Sequence, residues 1–129
     1  MYDQSWGAME FQSLIGEHRG IERELDCLAE GIATGAIDID TLRRVHQLCI
    51  LHYEREEPFL VRLGERDAPL ATKLRGQHCE ALELADRLQE AVAAGQTRDG
   101  LYLARRFLAI AQHNIIEEER DVFPFVANL

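Results

Sequence analysis

The chain has 129 residues, of which 47% are apolar, and its 23 acidic and 14 basic side chains give a formal net charge of −9. This length fits a single domain, residues 1–129, that can bury a sufficient hydrophobic core without disulfides or a structural metal. The acidic balance argues against nucleic acid or an anionic membrane as a partner, because both bind clustered Lys and Arg, and the apolar fraction argues against a disordered chain.

The apolar residues recur every three to four positions along the chain, which predicts helices and no strands. The first predicted helix runs from about Gly7 to Ile32 and ends at the nearby glycines. The second begins after Asp38 or Asp40, either of which can cap its N-terminus, and ends at Gly64.

The third predicted helix begins near Pro69, which suits a first helical turn, and ends at Gly95. The fourth begins near Thr97 to Asp99 and runs to about Phe123–Pro124. Four helices of roughly 25 residues, each about 37 Å long, joined by short loops that contain glycine, predict an all-α, up-down-up-down four-helix bundle.

The N-terminal residues Met1 to Glu10 carry neither a basic segment nor an apolar run, so no secretory signal is visible and we expect a cytoplasmic protein. No stretch approaches the roughly 20 uncharged apolar residues of a membrane-spanning helix. The three cysteines form no Cys-x-x-Cys pair, which favours reduced thiols over disulfides or a zinc site. They are Cys27, Cys49 and Cys79.

The chain repeats itself around its histidines. His18 and His52 are 34 residues apart, and His78 and His113 are 35 residues apart. The second histidine of each pair begins a His-x-x-x-Glu motif. Each half of the chain therefore predicts a helix with one central histidine, followed by a helix with His-x-x-x-Glu.

The two His-x-x-x-Glu motifs each present an imidazole and a carboxylate in one direction, because residues four apart differ by about 40° around a helix. On every predicted helix the histidine lies among the apolar residues of the buried face. We therefore predict that one histidine from each helix and two glutamates point into the core. These residues are His18, His52, Glu56, His78, His113 and Glu117.

A buried carboxylate without a partner is costly, so Glu56 and Glu117 require a cation or strong hydrogen-bond donors. Four inward imidazoles and two inward carboxylates match the ligands of a paired transition-metal site in a helical bundle. Iron is the leading candidate, since zinc prefers one tetrahedral site and often thiolates, and magnesium or calcium prefers oxygen ligands. For any single histidine the alternative is a hydrogen-bonded core residue, which the repeated pattern disfavours.

This order of motifs resembles the hemerythrin-like HHE cation-binding domains over nearly the whole chain, including the Val122-Phe123-Pro124 run after the last motif. The resemblance implies a four-helix bundle with two iron ions, Fe2+ or Fe3+, bridged by an oxo or hydroxo group. Manganese or a mixed pair of metals stays open. By the same resemblance, the first ion is held by His18 and His52, the second by His78 and His113, and the bridges are Glu56 and Glu117.

One position departs from the oxygen-carrying hemerythrins, which have a second histidine one turn after the third-helix histidine. The residue here is Leu82. The departure leaves an open position on both ions, which favours binding or reduction of dioxygen, peroxide or nitric oxide. Whether the protein is an enzyme is left open. The alternatives are an iron or oxygen sensing or storage module without turnover and a reversible oxygen carrier, in a monomer or a homodimer.

Several other polar residues have less defined expectations. Glu22 lies one turn after His18 and is either a further ligand or a carboxylate at the edge of the buried face that reaches solvent or an arginine. His46 is expected near the surface, and Trp6 is expected to pack at the N-terminus. Residues expected on a solvated face, with a hydrogen bond to a ligand histidine as the alternative, are Glu57, Glu118 and Glu119.

Overall fold

Four long helices make up most of the protein. The computed structural model describes residues 8–127, so Trp6 and the predicted helix start at Gly7 lie outside the described residues. The helices are α1, Ala8–Ala33; α2, Ile39–Gly64; α3, Ala68–Ala93; and α4, Thr97–Glu117. Residues 8–127 contain no strand, and the predicted all-α four-helix bundle is confirmed.

The helix ends follow local sequence signals. Asp38 rather than Asp40 caps α2, because its carboxylate accepts hydrogen bonds from the Asp40 amide at 3.1 Å and the Thr41 hydroxyl at 2.8 Å. The turns after α1 and α3 contain glycines with positive φ, Gly35 at 78° and Gly95 at 71°. Glycine adopts this left-handed conformation without steric cost, so both helices end where the sequence predicts.

The end of the chain differs from the single fourth helix that the sequence predicts. A π-helical turn, Glu118–Val122, follows α4, and a short helix α5 covers Phe123–Ala127. Such wider turns occur often at functional sites, because they accommodate an extra residue within a continuous helix. In this last segment Val122 and Val126 are buried, each four residues after the preceding inward side chain.

The packing order is that of an up-down-up-down bundle, because α1 packs on α2 and α4, and α3 also packs on α2 and α4. Two separate apolar clusters form the core. One lies toward the α1–α2 and α3–α4 loops and includes Leu25, Val45, Leu88 and Phe107. The other lies at the opposite end and includes Phe11, Phe59, Leu74 and Phe123.

The three cysteines are all free, which agrees with the predicted reduced thiols. Cys49 is buried, and burial raises the pKa of its thiol to about 12, so it packs as a small apolar residue. Among the described residues, no helix combines the length and the apolar character needed to cross a membrane.

Candidate metal centre

A layer of polar side chains separates the two apolar clusters. We call it the polar layer; its residues, all buried, are His18, His52, Glu56, His78, Asn114 and Glu118. Four of these side chains, from α1, α2 and the π-helical turn, place one ligand atom each within 4.8 Å of the others. These four are His18, His52, Glu56 and Glu118.

Glu118 lies at the centre of the polar layer and is fully buried. Its Oε1 is 3.0 Å from His18 Nε2, and its Oε2 is 2.9 Å from His78 Nε2. The Asn114 amide also donates to Oε2, at 3.1 Å. Burial by itself raises the pKa of Glu118, but hydrogen bonds from His18 and His78 outweigh burial and hold the pKa below its ordinary value.

Glu56 has the opposite surroundings. Its carboxylate has no exposed surface, and neither oxygen has a hydrogen-bond partner. His52 Nε2 lies 2.5 Å from Glu56 Oε1 but outside hydrogen-bond geometry, so this nitrogen also lacks a partner. Burial, followed by the charge of Glu118, raises the pKa of Glu56 well above its ordinary value. These unpartnered atoms converge where a cation would satisfy them.

Two of the three histidines in the polar layer have a carboxylate at the ring nitrogen that points away from the layer, which we call the outer nitrogen. His52 Nδ1 lies 2.7 Å from a carboxylate oxygen of Glu17, whose other oxygen contacts Arg55. Burial, with a further contribution from His18, lowers the pKa of His52 to about 4, which keeps its imidazole neutral and able to act as a ligand.

The anchor of His18 comes from the π-helical turn. His18 Nδ1 lies 2.6 Å from a carboxylate oxygen of Glu119, whose other oxygen contacts Arg19. Such a carboxylate fixes the ring orientation and the tautomer of a metal-ligating histidine. Glu118 and Glu119, which are consecutive residues of this turn, thus contact the two nitrogens of the same imidazole.

His78 is held differently, by an aromatic ring. The Tyr53 ring stacks on the imidazole with centroids 3.9 Å apart and planes 7° apart. Among the described residues, the carboxylates at ion-pair distance from His78 are Glu56, at 3.8 Å, and Glu118, and both lie at Nε2. His78 therefore lacks the carboxylate anchor that His18 and His52 have.

The structure does not bring His113 and Glu117 into the polar layer. The prediction that His113 faces the core is wrong, since 61% of its side chain is exposed. Glu117 lies at the α3–α4 seam, 2.6 Å from Lys73 Nζ and 2.8 Å from Gln77 Nε2. These contacts, Lys73 first, hold the pKa of Glu117 below its ordinary value.

The inward face of α4 is one residue further along the chain than predicted. Its inward polar pair is Asn114 and Glu118. The sequence places Phe107, Ile110 and Ile116 on the inward face of α4; Phe107 is buried as predicted, but Ile116 is 53% exposed. The observed inward face includes Leu103, Ala104, Phe107, Ala111 and Ile115, and its two alanines give only a weak hydrophobic signal. The expectation that Glu118 lies on a solvated face is likewise wrong.

The remaining polar residues lie outside the layer. Glu22 contacts Arg19, which was one of its two expected positions. His46 is partly buried beside Gln89 and Asp86. Glu57 pairs with Arg75, 2.7 Å away, on the exposed surface as expected. Glu119 adopts the alternative expectation for its group, a hydrogen bond to a histidine of the polar layer, and so does Glu118.

The buried histidines of α1, α2 and α3, together with the buried Glu56, follow the order of a family of known proteins. The family model of the hemerythrin HHE cation binding domain matches residues 9–126. This chain belongs to that family. No curated protein and no solved structure matches the sequence significantly. The HHE domain therefore accounts for the bundle and for the candidate metal centre inside it.

The side chains of this HHE domain fit a bound transition metal. Imidazole nitrogens and carboxylate oxygens converge in a buried layer, and four polar atoms of the layer lack a hydrogen-bond partner. They are His52 Nε2, Glu56 Oε1, Glu56 Oε2 and Asn114 Oδ1. The fourth helix departs from the expected His-x-x-x-Glu, since its inward pair is Asn114-x-x-x-Glu118.

Proposed function

We propose that the polar layer binds a pair of redox-active transition-metal ions, iron first, and that the bound metal binds or reduces a small ligand such as dioxygen, peroxide or nitric oxide. The observation that carries this proposal is Glu56, a fully buried carboxylate with two unpartnered oxygens beside an unpartnered imidazole nitrogen. A buried carboxylate in this state is stable only with a proton or a cation, and the neighbouring imidazoles favour the cation.

The donor set favours iron or manganese over other common metals. Three imidazoles are too many for magnesium or calcium, which prefer oxygen ligands. The cluster of ligand atoms contains no thiolate, and its two carboxylates are placed between histidines from both halves of the chain. In this arrangement Glu56 and Glu118 would be shared by the two ions, His18 and His52 would hold one ion, and His78 would hold the other.

The redox chemistry needs both electrons and access for the small ligand. Hydrogen peroxide requires two electrons and two protons to become two water molecules, and a bound pair of Fe2+ ions would supply the two electrons on oxidation to Fe3+. An open, mainly apolar groove of about 390 Å³ between α2 and α3 reaches the layer beside Tyr53 and His78. Leu82 lines this groove, at the position where oxygen-carrying relatives have a histidine. An apolar groove suits entry of a small, weakly polar ligand.

The proposal is tested by loading the metal-free full chain with Fe2+ under anaerobic conditions, removing free iron, and measuring bound iron by elemental analysis and Mössbauer spectroscopy. We expect wild type to retain iron and Glu56→Ala to lose most of it. Glu57→Ala is the matched control, because Glu57 is the next residue but pairs with Arg75 on the surface. Peroxide, dioxygen and nitric oxide are then added separately and their consumption is followed.

Two outcomes would contradict the proposal. If wild type does not retain iron, or if Glu56→Ala retains as much iron as wild type, the polar layer is not a metal site. Retained Fe2+ that none of the three oxidants converts irreversibly to Fe3+ in a single turnover would contradict the reductive activity. In that case a stable, reversible oxygenated spectrum would favour a carrier, and its absence would favour a sensing or storage module.

A further inference from the structure

The two ends of the polar layer offer very different ligands to a metal. At the α1–α2 end, His18 and His52 present two imidazoles, and each has its outer nitrogen on a carboxylate that also contacts an arginine. Each ring therefore has one fixed orientation before metal arrives. Outer contacts of this kind typically change metal affinity by about 10- to 100-fold.

At the α3–α4 end the corresponding ligands are one imidazole and one amide. His78 has no carboxylate at its outer nitrogen among the described residues, and it is held by stacking on Tyr53. Asn114 occupies the inward position of α4 in place of His113, the histidine expected there, which is exposed. A neutral amide oxygen is a weaker donor to a transition metal than an imidazole nitrogen.

The orientation of Asn114 shows that its oxygen is available as a ligand. Its Nδ2 donates to Gln77 Oε1 at 2.8 Å and to Glu118 Oε2 at 3.1 Å. Both donor contacts are thus taken by neighbouring oxygens, which fixes the amide. Its Oδ1 is buried without a hydrogen-bond partner. A cation, or a water molecule bound to a cation, would satisfy this oxygen.

We infer that the polar layer holds two unequal cation positions, a tight one at His18 and His52 and a weaker, exchangeable one at His78 and Asn114. The two positions share Glu56 and Glu118. The weaker position has more oxygen than nitrogen donors, so it accepts Mn2+ as well as Fe2+. At limiting metal the chain then holds one ion, and the second ion binds only at higher metal concentration. This inference rests on the proposed metal binding but not on any turnover.

The test is an anaerobic titration of the metal-free full chain with Fe2+ against a competing chelator, which gives a dissociation constant for each equivalent. We expect the second Kd to be at least about tenfold higher than the first, because the weaker position lacks an anchored histidine pair. Asn114→His is expected to lower the second Kd by about tenfold or more and to leave the first unchanged. His113→Ala is the control, since His113 is exposed and neither Kd should change.

A second set of variants keeps the test decisive if Asn114→His folds poorly. Asn114→Asp has nearly the same shape, places an anionic oxygen at the same position, and should also lower the second Kd. His78→Ala should remove only the second equivalent, whereas His52→Ala should remove the first.

Two equivalents with equal Kd in wild type would overturn the inference. So would a second Kd that neither Asn114 variant changes. The absence of bound iron in wild type and in all variants would instead overturn the proposed function, so the two failures are distinguishable.

Discussion

The two sides of the polar layer come from the two halves of a repeated chain, yet they differ in charge and in rigidity. The α1–α2 side holds two imidazoles in charged networks, in which Glu17 and Glu119 connect the rings to Arg55 and Arg19. On the α3–α4 side the second imidazole is absent, and an amide and a stacked tyrosine stand near the remaining histidine.

This difference shows how one bundle can place similar side chains in unequal environments. Both sides lie between the same two apolar clusters, so burial is similar and cannot explain the difference. The outer partners differ instead, and they control ring orientation, donor strength and the cost of leaving a site without metal. The following predictions test this contrast, from the largest expected effect to the smallest.

The largest effect is expected at Glu118, which contacts both sides of the layer. Glu118→Gln should abolish the metal-dependent gain in stability. That gain is about 2.7 kcal/mol in wild type when free metal is hundredfold above its Kd. The measurement is urea denaturation with and without Fe2+ under anaerobic conditions. Glu117→Gln is the control, since Glu117 contacts Lys73 and Gln77 outside the layer and should keep the gain. Equal behaviour of the two variants would contradict the register of α4.

A smaller effect is expected from the carboxylate anchors on the α1–α2 side. Glu119→Gln should weaken the first Fe2+ equivalent by about 10- to 100-fold, because His18 loses its negatively charged outer partner. Glu22→Gln is a matched control, because Glu22 contacts the same Arg19 but no layer histidine. Isothermal titration under anaerobic conditions measures both. A similar loss in the two variants would assign the effect to Arg19 rather than to the anchor.

The α2–α3 groove predicts a kinetic effect without a change in metal affinity. Leu82→Phe should narrow the groove beside His78 and slow nitric oxide association severalfold in stopped-flow experiments, while bound iron stays unchanged. The α1–α2 side also has a groove, of about 600 Å³, that reaches His52 and is lined by Leu51. Leu51→Phe therefore serves as the comparison, and a stronger slowing there would place ligand entry on the α1–α2 side.

The smallest effect is expected at Asp38, which lies about 21 Å along α2 from His52. Hydrogen bonds from the Thr41 hydroxyl and the Asp40 amide hold the pKa of Asp38 below its ordinary value of 3.8. Its stabilising contribution is therefore complete at neutral pH and declines as the pH falls through the lowered pKa.

Asp38→Ala should slightly lower the free energy of unfolding at pH 7, by the same amount in metal-free and metal-loaded protein. The difference from wild type should narrow toward pH 3.8 and below, as measured by urea denaturation across pH. An effect that depends on metal would contradict the separation of this cap from the polar layer.

The periodicity of the sequence was sufficient to predict the helices and most of the residues of the polar layer. Strong apolar residues surround His18, His52 and His78, and their spacing predicted the inward direction of all three. Glu56 followed from His52, because a residue four positions later shares its face. The helix bounds followed from caps and glycines, which act over only a few residues and are visible in the sequence.

Only the tertiary structure decided which face of α4 points into the core and which side chains contact each histidine. Adjacent residues differ by about 100° around a helix, and the His113 and Asn114 registers are one residue apart. The inward alanines give too little hydrophobic signal to choose between these registers, whereas packing against α3 and α1 does. The contacts of Glu119 with His18 and of Glu17 with His52 join residues 101 and 35 positions apart. No local rule of spacing contains such contacts, because they exist only once the helices have packed.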